Sequence, residues 1–187
     1  MVGATRRAFA ILLSAVLVFV ASTLIHMVLK YHASDYRPLP NEDAVRATFR
    51  GSNNPGPGQY VIPHISDMKQ MASPEHLAKC TEGPVGVVTL RPNGAPTMGP
   101  SLIQWFVFTL VVSALVAHLA SGVLPVGTDY RQVFHTVGVA AFLAYAAGQL
   151  PGAIWMGKPW SIAAKEVLDG LIYGLVTAGT FGWLWPR

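Results

Sequence analysis

The chain has 187 residues, 52% of them hydrophobic and only 12% charged, with a mean hydropathy of +0.42. A soluble domain carries roughly 25% charged residues, so half that, with the apolar residues gathered in long blocks, excludes an ordinary soluble class. The net charge of +4 does not argue for nucleic acid: the basic residues are scattered, no run exceeds Arg6-Arg7, and such binding needs clustered charge.

The first apolar run spans Ala8 to Leu29. Arg6 and Arg7 precede it like the basic end of a signal peptide. A signal core is about 7–15 residues long, however, and this run continues through Ile25, Val28 and Leu29, so a retained anchor is expected. Lys30 to Ser101 follows as a polar stretch rich in proline and glycine. Within it, Asn41 is placed to cap a helix over Glu42 to Arg50. Residues 51–58 read as a turn-rich break. Gln59 to Ile62 reads as a strand, Ser73-Pro74 as a helix start leading to Cys80, and Val85 to Leu90 as a second strand. Cys80 is the one cysteine, so no intrachain disulfide supports this segment, and its elements bury little core.

Three more apolar runs crowd the C-terminal half: Leu102–Leu124, Val133–Leu150 and Val167–Trp185. A membrane helix needs about 17–25 residues, and all four runs qualify. β-Barrel strands would alternate in and out over about 10 residues, and these runs do not. The expected fold is therefore a membrane all-α protein. Residues 1–29 form a cytoplasmic tail and first helix, 30–101 an extracytoplasmic segment with mixed α/β elements, and 102–187 a three-helix unit. Arg6, Arg7, Arg131 and Arg187 fall on one side of this topology, which places both ends in the cytoplasm. Trp105, Trp155, Trp160, Trp183 and Trp185 lie at run ends, where indoles favour headgroups. Pro125 and Pro151 are expected to stop the second and third helices.

Small residues recur at every fourth position in these runs. The fourth has Gly170, Gly174, Ala178 and Gly182. The third has Thr136, Ala140, Ala144 and Gly148, and the second Thr109, Ser113, Ala117 and Ser121. Such ridges let helix backbones approach closely in lipid, within one chain or against another subunit.

Three residue sets carry candidate chemistry. His118 and His135 face similar depths across the second and third runs, where two imidazoles can hold haem b or a quinone; near a membrane boundary they can equally bond to water or headgroups. Lys165, Glu166 and Asp169 begin the fourth run. Lys165 and Asp169 share a face, as an interfacial ion pair or as a carboxylate on an ion path. His64, Met68, Met71, His76 and Cys80 supply soft ligands that suit copper(I), but in no compact spacing. His26 and His32 near the outer end of the first run are open to either reading. No GxSxG, GxxxxGK[ST], HExxH or CxxCH motif is present, which removes the common hydrolase, nucleotide, zincin and haem c signatures.

Several phrases together are familiar: Ser34-Asp35-Tyr36-Arg37 with Leu39-Pro40, Gly83-Pro84-Val85-Gly86, Arg91-Pro92-Asn93-Gly94, Lys158-Pro159-Trp160 and Asp169-Gly170-Leu171-Ile172-Tyr173. They resemble an uncharacterised family of small bacterial inner-membrane proteins, almost end to end. The resemblance implies a bacterial cytoplasmic membrane and brings no activity, cofactor or partner. The expectation is a non-enzymatic accessory or structural subunit of a larger membrane complex, respiratory or photosynthetic in kind. Its alternatives are a redox protein using His118 and His135, or a small ion-coupled protein using Asp169.

Overall fold

The computed structural model describes residues 2–50 and 54–186; part of the turn-rich break at 51–58, and Arg187, lie outside them. The chain is mostly helical, with one small two-stranded sheet. Four helical stretches are long and apolar enough to cross a membrane: Ala4–Leu29, Gly99–Val123, Tyr130–Trp155 and Trp160–Leu184.

The residues divide into two compact units. The first holds the four long helices and comprises Met1–Tyr36, Thr97–Ala153 and Lys158–Arg187. Helix α1 (Val2–Thr23) continues as a π-helical turn, Leu24–Leu29. The second unit comprises Arg37–Pro96 and Ile154–Gly157 and contains α2 (Glu42–Thr48), β1 (Gly58–Ile62), α3 (Pro74–Glu82) and β2 (Gly86–Leu90). The bundle resumes with α4 (Gly99–Val123), α5 (Tyr130–Ala146), the short α6 (Leu150–Trp155) and α7 (Trp160–Leu184).

In the bundle, α1 packs against α4 and α7, and α5 packs against α4 and α7. The first helix is thus an integral wall rather than an anchor set apart from the other three. Its buried face is Ala10, Ser14, Ala15, Val18, Ser22 and Ile25, at helical spacing. The second run's small ridge meets that face. Thr109 lies 3.4 Å from the Ala15 carbonyl, and the Ser113 and Ser14 hydroxyls are 3.3 Å apart.

The ridge on α7 packs as expected, with α5 as its neighbour. A methyl group placed on Gly170 would stand 2.7 Å from Ala146 Cβ and 2.9 Å from its backbone, and one on Gly174 would stand 3.1 Å from the Phe142 nitrogen. Ala178 lies against Gly138, and Tyr130 fills the notch at Gly182. The α5 surface that does this is Gly138, Phe142 and Ala146. It is not the expected row: Ala140 is half-buried, Ala144 and Gly148 are exposed, and nothing lies within 4 Å of Gly148. The physical reason is shape: Phe142 and Ala146 fit the glycine notches, so they set which side of α5 turns inward.

Two other expectations change. Pro151 does not end the third helical stretch, because it sits in the first turn of α6, where its missing N–H is not needed. Trp105 and Trp185 do not point to headgroups: their indole N–H groups donate to Ser22 Oγ (2.8 Å) and to the Pro125 carbonyl (3.0 Å). Trp155, Trp160 and Trp183 are exposed.

In the second unit, β1 and β2 pair antiparallel, Gly58 with Leu90 through Ile62 with Gly86. Ser73 caps α3 by accepting from the His76 amide, as expected. Asn41 adopts a left-handed conformation and makes no side-chain cap on α2. Among the described residues of Arg37–Pro96, none is fully buried, in keeping with the small core expected there.

Gly170→Ala is expected to destabilise the protein by about 1–3 kcal/mol, because backbone atoms of Ala146 must move. Gly122→Ala, with nothing within 4 Å of the new methyl, is expected to be neutral or to stabilise by up to about 1 kcal/mol. Thermal denaturation in detergent compares the two, and equal effects would contradict the close approach of α5 and α7.

Candidate functional site

The polar centre of the bundle forms where the chain leaves α1. Lys30 takes a left-handed conformation, φ 53°, which costs a non-glycine residue roughly 1–2 kcal/mol. This ends the helix and starts a single 3₁₀ turn, Tyr31–Ser34. The turn lies against the first half of α7, where Lys165 and Asp169 project from one face as their spacing requires.

Lys165 and Asp169 do not pair with each other, contrary to one expectation from the sequence. Lys165 Nζ donates to Asp35 Oδ1 (2.5 Å), Ser34 Oγ (2.9 Å) and the Tyr31 carbonyl (2.7 Å). An ammonium has three hydrogens, so these contacts use all of them. Glu166 pairs instead with Lys158 at 2.8 Å.

Asp169 is buried, 5% exposed, and its partners come from the end of α1 and the turn. The Tyr31 hydroxyl donates to Asp169 Oδ1. His32 Nε2 lies 2.9 Å from Asp169 Oδ2, while His32 Nδ1 lies 2.6 Å from Asp35 Oδ2. His32 is thus held between two carboxylates. The His26 ring stacks parallel on His32, with centroids 4.7 Å apart. Its Nε2 is 3.9 Å from Asp169 Oδ2, and its Nδ1 is 2.9 Å from the Ser22 carbonyl. The ligand atoms of His26, His32 and Asp169 all lie within 4.8 Å of one another.

Asp35 is held below the ordinary carboxylate range, first by its hydrogen bond from Lys165, against the opposing effect of burial, and then by His32. It is therefore a carboxylate at neutral pH, able only to accept hydrogen bonds. One turn beyond Asp169, Tyr173 packs edge-on against Tyr145, with centroids 5.5 Å apart. The Tyr173 hydroxyl is buried without a hydrogen-bond partner among the described residues, and the Tyr145 hydroxyl is buried beside Ser113 and Thr177.

The other candidate residues are dispersed. His118 and His135 are both exposed, on α4 and α5. His135 lines a shallow apolar groove with Phe134, Val139, Phe142, Leu171 and Leu175, between α5 and α7; His118 is not part of it. Of the sulfur and imidazole set in the second unit, Met68 and Met71 are exposed, and Cys80 Sγ approaches His76 Nε2 at 3.5 Å.

Sequence reasoning singled out Asp169 but missed Tyr31, His32 and Asp35 as its company. One local signal was available: His32 and Asp35 are three residues apart, a reach that suits an imidazole–carboxylate bond within one turn. The pairing with α7, 137 residues away, had no local signal. The chain matches no protein-family model, no curated protein and no solved structure.

Lys165→Met is expected to lower the melting temperature, because it removes the donor shared by Asp35, Ser34 and the Tyr31 carbonyl. A depressed pKa in the folded state means that ionised Asp35 favours folding. Its contribution is complete above the ordinary value of 3.8 and is lost as pH falls through the lower folded-state value. Wild type and Asp35→Asn are therefore expected to differ at pH 7 and to converge in acid below about pH 4. Melting curves across pH check this, and a gap that widened in acid would contradict it.

Proposed function

We propose that the protein is a non-enzymatic accessory subunit of a larger membrane assembly, multi-pass in a bacterial cytoplasmic membrane. In this reading, Arg6, Arg7 and Arg131 stay on the cytoplasmic side and residues 30–101 face the periplasm. The observation that carries the proposal is the groove between α5 and α7, on the outside of the bundle, with His135 among its lining residues. Ionisable residues in membrane helices almost always face a protein interior or a wet cavity. His135 is exposed on the outside of the bundle, and no hydrogen-bond partner for it is found among the described residues. A helix of a partner subunit laid in the groove supplies both an apolar cover and an acceptor for the imidazole. Exposed His118 marks a second outward polar point on α4.

The groove also favours one redox alternative. A quinone places its apolar tail on Phe134, Val139 and Leu175 and takes a hydrogen bond from His135. The paired reading, with haem b or quinone held jointly by His118 and His135, has less support, because only His135 lines the groove.

Purification from native membranes in mild detergent, followed by mass spectrometry, separates these readings. A co-purifying membrane protein is expected, with recovery at least ten-fold lower for His135→Ala and for Val139→Trp, which fills the groove from an exposed position. A lone chain carrying extractable quinone would favour the redox alternative. A lone chain without ligand, or partner recovery unchanged in both variants, would overturn the subunit reading.

A further inference from the structure

Hydrogen-bond bookkeeping at Asp169 leaves a deficit. His26 Nδ1 faces a backbone carbonyl and His32 Nδ1 faces the Asp35 carboxylate. Both partners are acceptors, so each Nδ1 carries the hydrogen. In the neutral rings both Nε2 atoms are then lone-pair donors to a cation, and both point toward Asp169 Oδ2, at 3.9 and 2.9 Å. Three acceptors converge. One proton between His32 and Asp169 satisfies two of them and leaves His26 Nε2 without a side-chain donor among the described residues. Among the described residues, the two donors beside it are already used: the Lys165 hydrogens on Asp35, Ser34 and the Tyr31 carbonyl, and the Tyr31 hydroxyl on Asp169 Oδ1.

We infer that His26 Nε2, His32 Nε2 and Asp169 Oδ2 bind one divalent first-row transition-metal ion of the zinc class. A divalent cation set between these atoms meets all three lone pairs once the His26 ring turns out of its parallel stack on His32. Metal–nitrogen and metal–oxygen bonds of about 2.0–2.2 Å in tetrahedral geometry place ligand atoms roughly 3.3–3.5 Å apart. The 2.9 and 3.9 Å from Asp169 Oδ2 to the two Nε2 atoms lie on either side of that spacing, and all three ligand atoms lie within 4.8 Å of one another, so rotation of the His26 ring out of its stack on His32 closes the site. Two imidazoles select zinc, cobalt or nickel over calcium and magnesium, which take oxygen ligands.

The surroundings are those of a metal centre as well. Ligating histidines characteristically donate their second N–H to a carboxylate or a backbone carbonyl, which fixes the tautomer and orients the ring. His32 does so to Asp35, and His26 to Ser22. Lys165 in turn holds Asp35 in place. His26 is half-exposed, with 51% of its side-chain surface accessible, so an ion can enter past it. Three protein ligands leave a fourth position for water or an anionic group, the arrangement of reactive rather than purely structural zinc sites. The inference is independent of the accessory-subunit reading and concerns the opposite face of α7 chemistry: its buried carboxylate, not its outer groove.

The test uses the full chain in detergent, stripped with a chelator and titrated with Zn(II), with Co(II) as a coloured probe. One ion per chain is expected, with a rise in melting temperature on binding and visible Co(II) absorption of a nitrogen–oxygen site. His26→Ala removes a ligand at the exposed edge and should weaken Zn(II) binding at least ten-fold and remove the rise in melting temperature that Zn(II) gives the wild type. Asp35→Asn should weaken it about 10–100-fold through ligand orientation. His76→Ala with Cys80→Ser, in the second unit, should leave it unchanged. Absence of saturable binding, full affinity in His26→Ala, or loss of binding only in the His76 and Cys80 variant would overturn the inference.

Discussion

A carboxylate carried on a long apolar helix has to be met by donors, and Asp169 is the residue around which this bundle is arranged. Removing an ionised carboxylate from water costs several kcal/mol even after relaxation, and that cost is offset only when hydrogen bonds reach it. The end of α1 delivers one donor, the Tyr31 hydroxyl, and an imidazole, His32, that shares a proton with the carboxylate. Lys30 bends the chain in a left-handed conformation, and Tyr31 and His32 then land on Asp169 while Asp35 lands on Lys165. The same contacts make α1 part of the bundle, because its last turn and α7 share one polar centre.

The rest of the packing is consistent with that constraint. Glycines on α7 bring α5 to within van der Waals distance of the backbone, so one face of α7 is committed to α5. Its neighbouring face is left to α1, where hydroxyls rather than glycines mediate contact between α1 and α4. Interhelical hydrogen bonds of this kind contribute about 0.6 kcal/mol each on average. They serve register more than gross stability. The polar centre and the glycine seam thus hold α7 from two sides, and the shallow groove at His135 lies on the outer side of the seam.

Much of this was legible in the sequence, for reasons that differ by element. The four long helices follow from apolar length alone, and α3 from a serine cap with proline behind it. The α7 ridge was legible because its small residues form one continuous row. The α5 face was not: the helix offers rows two residues apart, and the choice between them depends on how Phe142 and Ala146 fit glycines on another helix. Trp105 and Trp185 were misread because an indole N–H satisfied inside a bundle has the same sequence position as one at a membrane surface. The polar centre was only half legible. Asp169 stood out as a charge in an apolar run, but its partners depend on a turn begun by a lysine at positive φ, which no glycine or asparagine announces.

The turn after α1 and the carboxylate on α7 are directly coupled in energy. A double-mutant cycle with His32→Leu and Asp169→Leu, followed by chemical denaturation of the metal-free protein, measures that coupling. The double variant is expected to be more stable than the sum of the single losses implies, by about 1–3 kcal/mol, as for groups in one buried network. Additivity within about 0.5 kcal/mol, the behaviour of independent sites, would contradict it.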